Sequence, residues 1–244
     1  MLLRRRVAAA LLGLAVLVPS GIVAPAAAAP APAFRIDLAE PGDFVRQADP
    51  DWCIPASMQI MLNIIGPEND HSVATQQSLL ELARSFRSTS FTLTPEIRGA
   101  SSSGLAAGLT ELGAGPYRVT STTTLEAAVE LAARAIRETG RPAKFSVWKG
   151  THSWVVAGFE ATADPATSRD AQVTAVVVID PWYPGSSATF GRSPAPGTTL
   201  SIARLAQDYV PWERRGRSGR WSGRYLLVIP YEPATPFSRF LNPN

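Results

Sequence analysis

The sequence predicts an α+β fold in which N-terminal helices pack on an antiparallel β-sheet. Three observations predict it. Helical apolar spacing dominates residues 54–138. Short β-branched and aromatic runs bounded by Gly or Pro dominate residues 143–229. The two kinds do not alternate, as βαβ units would require. With 244 residues, 45% of them apolar and 18% charged, the chain can bury one sizeable core and is too apolar to be disordered over most of its length. Its 21 prolines and 18 glycines imply many turns and long loops.

The elements follow in order. Arg4, Arg5 and Arg6 precede an apolar run from Val7 to Val18, then Pro19-Ser20-Gly21 and the small residues Ala24 to Ala29. This is the layout of a secretory signal peptide, assigned to residues 1–29. At 1.5 Å per residue the run would span about 18 Å, short of the ~30 Å core of a bilayer. The sequence therefore predicts export and cleavage, with no stable membrane insertion afterwards. Residues 30–36 read as a Pro/Ala-rich linker and residues 37–244 as a single domain. Ile54–Ile65 is almost continuously apolar, with Pro55 in its first turn and Gly66-Pro67 at its end, and reads as a buried helix. Val73–Phe86 is a second helix with Ser72 as N-cap. Pro95–Leu112 reads as short helical pieces broken by Gly99, Gly104 and Gly108. Leu125–Glu138 is a third clear helix, its face marked by Leu125, Ala128, Val129, Ala132 and Ile136. Strands are predicted at Ala143–Trp148, Ser153–Phe159, Thr174–Asp180 and Arg224–Ile229. A further helix is predicted at Ser201–Gln207, after a flexible stretch Gly185–Gly197.

Charge and cysteine usage narrow the chemistry. Of 23 basic residues, 3 lie in the export segment, which holds no acidic residue; the remaining 20 balance the 20 acidic ones. The mature chain is then neutral, and no nucleic-acid partner is expected. The Arg-rich segment Arg214–Arg224 reads as a solvated hairpin or loop. A single cysteine, Cys53, excludes an internal disulfide and a Cys-rich zinc site. His71 and His152 are the only histidines. His71 follows Glu68 and Asp70 at a spacing that fits no metal motif. No Walker or Rossmann glycine pattern and no G-x-S-x-G elbow occur, so neither metal nor organic cofactor is expected.

What remains is a set of four polar positions. Cys53 opens the buried helix, where free N–H groups and the macrodipole favour an anion. His152 precedes one predicted strand and Asp180 ends the next. If those strands pair antiparallel so that Phe159 faces Val173, His152 faces Asp180 on the same side of the sheet. A carboxylate on one ring nitrogen would fix the tautomer and turn the other nitrogen toward a thiol. Gln47, six residues before Cys53, could donate its amide to an oxyanion beside the Cys53 N–H.

The runs Gln47-Ala-Asp-Pro-Asp-Trp-Cys53-Ile-Pro-Ala-Ser57, Thr151-His152-Ser-Trp-Val-Val-Ala-Gly158 and Val-Val-Ile179-Asp180-Pro181 resemble the papain-like cysteine peptidases, in particular the bacteriocin leader-peptidase-like (C39-like) branch. The resemblance covers roughly residues 40–185. It implies a papain-like fold with Cys53 as nucleophile, His152 as general base, Asp180 as its orienting carboxylate and Gln47 in the oxyanion hole. It also implies a peptide or protein substrate. The true leader peptidases are fused to transporters, whereas this chain carries an export signal and no transporter, so double-glycine leaders are not the expected substrate. A transglutaminase-like acyltransferase, a cell-wall peptide amidase and a non-catalytic secreted binding module on the same fold are the alternatives.

Overall fold

In chain order the elements are β1 (Phe34–Asp37), α1 (Cys53–Ile65), α2 (Val73–Ser85), α3 (Ser102–Glu111), β2 (Tyr117–Thr122), α4 (Leu125–Thr139), β3 (Ala143–Val147), a 3-10 turn (Trp148–Gly150), β4 (His152–Ala161), β5 (Val173–Ile179), β6 (Ser186–Ser187), β7 (Gly191–Arg192), β8 (Thr198–Ser201), α5 (Ile202–Leu205) and β9 (Tyr225–Pro230). The computed structural model describes residues 33–67, 69–86, 99–213, 219 and 221–232. The expected export signal, residues 30–32 of the expected linker, Pro95 to Arg98, and Arg214, Arg215, Arg217 and Arg220 lie outside the described residues.

Every pairing in the main sheet is antiparallel, in the order β2-β9-β3-β4-β5-β8, with β1 paired to the C-terminal half of β4. One face of the sheet packs on α4 through Phe145, Val147, Trp154, Val156, Val176, Val178, Leu227 and Ile229. The other face carries Val155, Ala157, Val177, Ile179 and Val228 against α1, α2 and α3. This is the expected α+β arrangement, with helices layered on an antiparallel sheet; His152 opens strand β4 and Asp180 follows strand β5. Because helices cover both faces, the central strands are buried along nearly their whole length. No described helix is long and apolar enough to cross a membrane.

Helices α2 and α4 begin at side-chain caps, Ser72 as expected from the sequence and Thr124 in addition. Ser72 caps α2 by accepting from the Thr75 N–H, and Thr124 caps α4 by accepting from the Ala127 N–H; such a cap contributes about 1 kcal/mol. All five residues expected on the inner face of α4 are buried. The α3 region is different. Gly104 and Gly108 do not break it; both lie within one helix. A Cβ on Gly104 would sit 2.1 Å from the Ala83 carbonyl oxygen, so this glycine serves the close approach of α2 and α3.

Two further corrections concern the sheet. His152 and Asp180 are not directly opposed. Val155 faces Ile179 and Val156 faces Val178, after which a bulge carries Gly158 opposite Val177 and Phe159 opposite Val176, not Val173. The true register is shifted by two residues at the His152 end, which preserves the face and leaves the two side chains diagonal neighbours. The bulge also explains why Trp154 and Val156 share a core with Phe159 and Ala161 despite the change from even to odd positions. Second, Phe34–Asp37, read partly as linker, is strand β1. Its Ile36 carbonyl oxygen would lie 2.2 Å from a Cβ at Gly158, so only glycine admits this pairing. Strands β2 and β8, and the β6–β7 ribbon inside the stretch read as flexible, were likewise not anticipated; β1, β2, β8 and the ribbon are short, half-exposed or edge elements with weak apolar alternation.

Candidate active site

Cys53 is the first residue of α1, flanked by Trp52, which makes no side-chain cap, and by a first turn without acidic residues. The first N–H groups of a helix have no intrahelical acceptor, and at the third helical position Pro55 has no N–H at all. The orphan donors beside the sulfur are therefore the Cys53 and Ile54 amides. Cys53 itself is partly exposed.

His152 opens β4 and is buried. Its Nε2 donates to Asp180 Oδ1 at 2.7 Å, and the Cys53 side chain is a hydrogen-bond partner of the same ring, which leaves Nδ1 for the sulfur. The structure thus brings Cys53, His152 and Asp180 into one chain of contacts. Burial lowers the His152 pKa, but the bonds to Asp180 and Cys53 and their negative charge outweigh it and raise the pKa from 6.5 to about 9. An imidazolium held over that range is the setting in which a neighbouring thiol reacts as thiolate.

Asp180 is wholly buried just beyond β5 and accepts three donors: His152 Nε2, the Trp182 N–H at 2.8 Å on Oδ1, and Ser193 Oγ on Oδ2. With donors on both oxygens, the carboxylate is held in one orientation without a lysine or arginine.

The imidazole is also fixed face-on. Trp148 stacks on His152 with ring centroids 4.2 Å apart, and Phe190 stacks on Trp148 at 5.7 Å. Trp148 and Lys149 adopt positive φ angles of 55° and 60°, conformations that cost non-glycine residues energy. Asp208 holds this turn at two points: its carbonyl accepts from the Trp148 N–H at 2.8 Å and its carboxylate from Trp148 Nε1 at 2.9 Å.

A buried hydroxyl pair registers Cys53 against His152. Ser57 lies one turn after Cys53 on α1, Ser153 follows His152 on β4, and their Oγ atoms are 2.8 Å apart.

Gln47 is buried in the loop before α1. Its Nε2 donates to the Asp49 and Pro50 carbonyls at 2.9 and 2.8 Å, which engages both amide protons. Its Oε1 is buried without a partner. The loop is braced by Gln76 of α2, which accepts from the Ala48 N–H and donates to the Arg46 carbonyl, and is tied to Pro181 through the Gln47 N–H. His71 is remote in role: its Nε2 donates to the Gly42 carbonyl at 2.6 Å. Among the described residues no cluster of three or more His, Cys, Asp or Glu could hold a metal.

Ser193, Trp148, Asp208 and Gln76 were not foreseen as parts of the site. Only Gln76 carried a readable signal. It occupies the buried stripe Gln76-Leu79-Leu80-Ala83, where a polar side chain must find partners.

Residues 42–195 match the Peptidase_C39 like family, which is more than half of the chain. No curated protein matches the sequence. Among solved structures, UfSP from C. elegans superposes with a TM-score of 0.44 at 17% identity, over 78% of this chain and 32% of that one. The chain spans about a third of that protein's length.

Proposed function

Because the chain belongs to the Peptidase_C39 like family, we propose that it is an exported cysteine peptidase that cleaves amide bonds through Cys53, His152 and Asp180. The observation that carries this reading is the contact chain from the Cys53 sulfur at the α1 N-terminus, through one ring of His152, to Asp180 at 2.7 Å. His152 takes the Cys53 proton, and the sulfur attacks the substrate carbonyl carbon. The resulting oxyanion lies against the Cys53 N–H, and Gln47 lends an amide proton by releasing one of its two loop carbonyls. The imidazolium then protonates the leaving amine, a thioester remains on Cys53, and water activated by His152 hydrolyses it. Asp180 holds the tautomer throughout. No metal or organic cofactor takes part.

Export rests on residues 1–29 alone; sequencing the N-terminus of the protein recovered from culture medium tests it. The activity is tested by labelling with a fluorescent iodoacetamide at pH 6, alongside hydrolysis of a casein-derived peptide library. Wild type should label rapidly at one site and release new amino termini, and Cys53→Ala should do neither. Slow labelling of the wild type, at the rate of a free thiol with an ordinary pKa, would leave a binding module on this fold.

A further inference from the structure

Lys144 is the unexplained group of this molecule. It sits in the middle of β3, is 1% exposed, and belongs to the face of the sheet that packs under α1. Its cross-strand partners are Val155 and Val228, both apolar and buried. Its ammonium donates to Ser102 Oγ at 2.9 Å and Ser146 Oγ at 2.6 Å, and among the described residues no carboxylate lies within ion-pairing distance. Ser146 in turn is the strand partner of Ser153, which bonds Ser57 one turn below the sulfur. A buried ammonium held by two neutral hydroxyls is strongly unfavourable unless a negative charge lies near it.

The groups facing Lys144 identify that charge. From α3 comes the Ser102 hydroxyl, from β4 Val155 and from β9 Val228, none of them charged. From α1 comes Cys53, the only ionisable side chain of that helix and the one side chain in electrostatic range that favours the ammonium. We propose that Lys144 is a positioning residue for the nucleophile: its buried ammonium, seated on Ser102 and Ser146, is a second cation that stabilises the Cys53 thiolate from the side opposite solvent. This rests on the reading of Cys53 as the nucleophile. The arrangement then balances, with two cations (His152 and Lys144) against two anions (Asp180 and the thiolate). It is consistent that burial lowers the Lys144 pKa to about 8 while Cys53 acts to raise it.

The test follows thiolate formation, which a merely structural lysine would not move. The rate of iodoacetamide alkylation is measured against pH for wild type, Lys144→Met and Ser102→Ala, with circular dichroism to verify folding. Lys144→Met should move the acid limb upward by about one pH unit, so that alkylation at its foot slows about tenfold. Ser102→Ala should move it in the same direction by less. A folded Lys144→Met with an unmoved acid limb overturns the proposal.

The reciprocal measurement does not depend on that variant folding. The chain contains two lysines, Lys144 and Lys149. Lysine labelled with ¹³C at Cε therefore gives two resonances, assigned with Lys149→Arg. The Lys144 titration should fall by about one unit in Cys53→Ala, because removing the anion removes what favours the ammonium. An unchanged titration overturns the proposal. Slow alkylation of the wild type itself would instead overturn the underlying assignment of Cys53, so the two failures are distinguishable.

Discussion

Replacing Asp180 by Asn removes a charge while keeping the shape of its site. The retained Oδ1 still accepts from His152 and Trp182, and Ser193 can turn its hydroxyl to accept from the new amide. What changes is the stabilisation of the imidazolium. In the folded protein His152 titrates at about 9 against 6.5 for the free side chain. A raised folded pKa contributes stability that is complete below pH 6.5 and is lost as pH rises toward 9. Within that window the folded His152 holds a proton that the unfolded side chain has lost, so its own contribution to stability falls by about 1.4 kcal/mol per pH unit, while a thiolate at Cys53 contributes in the opposite sense. Lys144 acts in the opposite sense from pH 8 upward. Its folded pKa is lowered from 10.5 to about 8, so the unfolded chain then holds the extra proton and stability rises with pH. The clean interval is therefore pH 6.5 to 8, over which His152 accounts for about 2 kcal/mol. For a domain of this size that is a fall in Tm of about 4–8 °C. Differential scanning calorimetry at constant ionic strength, in a Cys53→Ser background where no thiol ionises in the same interval, should show this fall with Asp180 in place and a much flatter profile with Asp180→Asn. Parallel profiles would refute the reasoning, because the imidazolium would then owe little to Asp180.

The same substitution should lower kcat by ~10²–10⁴ while the fold persists, read from steady-state hydrolysis. His152→Ala should abolish hydrolysis and His71→Ala should leave it nearly intact; a larger effect at His71 would break the assignment of the base. Gln47→Ala should lower kcat by about 10²–10³ with little change in KM while alkylation of Cys53 stays rapid, and Gln47→Glu should be at least as damaging. Wild-type rates in both Gln47 variants would leave the oxyanion to backbone amides. Gly104→Ala should destabilise the protein by about 1–3 kcal/mol in urea unfolding, since its Cβ would meet the Ala83 carbonyl oxygen at 2.1 Å; an unchanged midpoint would mean that α2 and α3 part at no cost.

The long helices and central strands were legible because each repeats one period over enough residues, as Leu125, Ala128, Val129, Ala132 and Ile136 do on α4. The contact between His152 and Asp180 was also legible, since a register error of two residues keeps side chains on the same face. The bulge after Val156 was not, because a glycine inside a strand marks a bulge or a close backbone approach alike, and Gly158 serves the approach of Ile36 on one side while the register shifts against β5 on the other. Lys144 and Ser146 illustrate a different difficulty. They alternate with Ala143, Phe145 and Val147, a pattern that reads as a strand with one face in water. Helices α1 and α3 cover that face, and this is a tertiary fact that no window of β3 contains. Ser193 lies 13 residues from Asp180 in a stretch of glycines and prolines, and only the return of the chain through β6 and β7 brings its hydroxyl to the carboxylate.

The Ser57–Ser153 hydroxyl pair spans a sequence separation of 96 residues. Closing a loop of that length is an entropic cost met only when α1 docks on β4. Until then Cys53 has neither His152 nor a formed helix terminus beside it, and its sulfur is an ordinary thiol. On the proposed role of Cys53, reactivity is thus a property of the completed tertiary structure rather than of any local segment. A nascent or partly unfolded chain is chemically latent, and it arms itself in the same step that locks the helix to the sheet. Local opening of that one interface, with the rest of the sheet intact, would be enough to disarm it again.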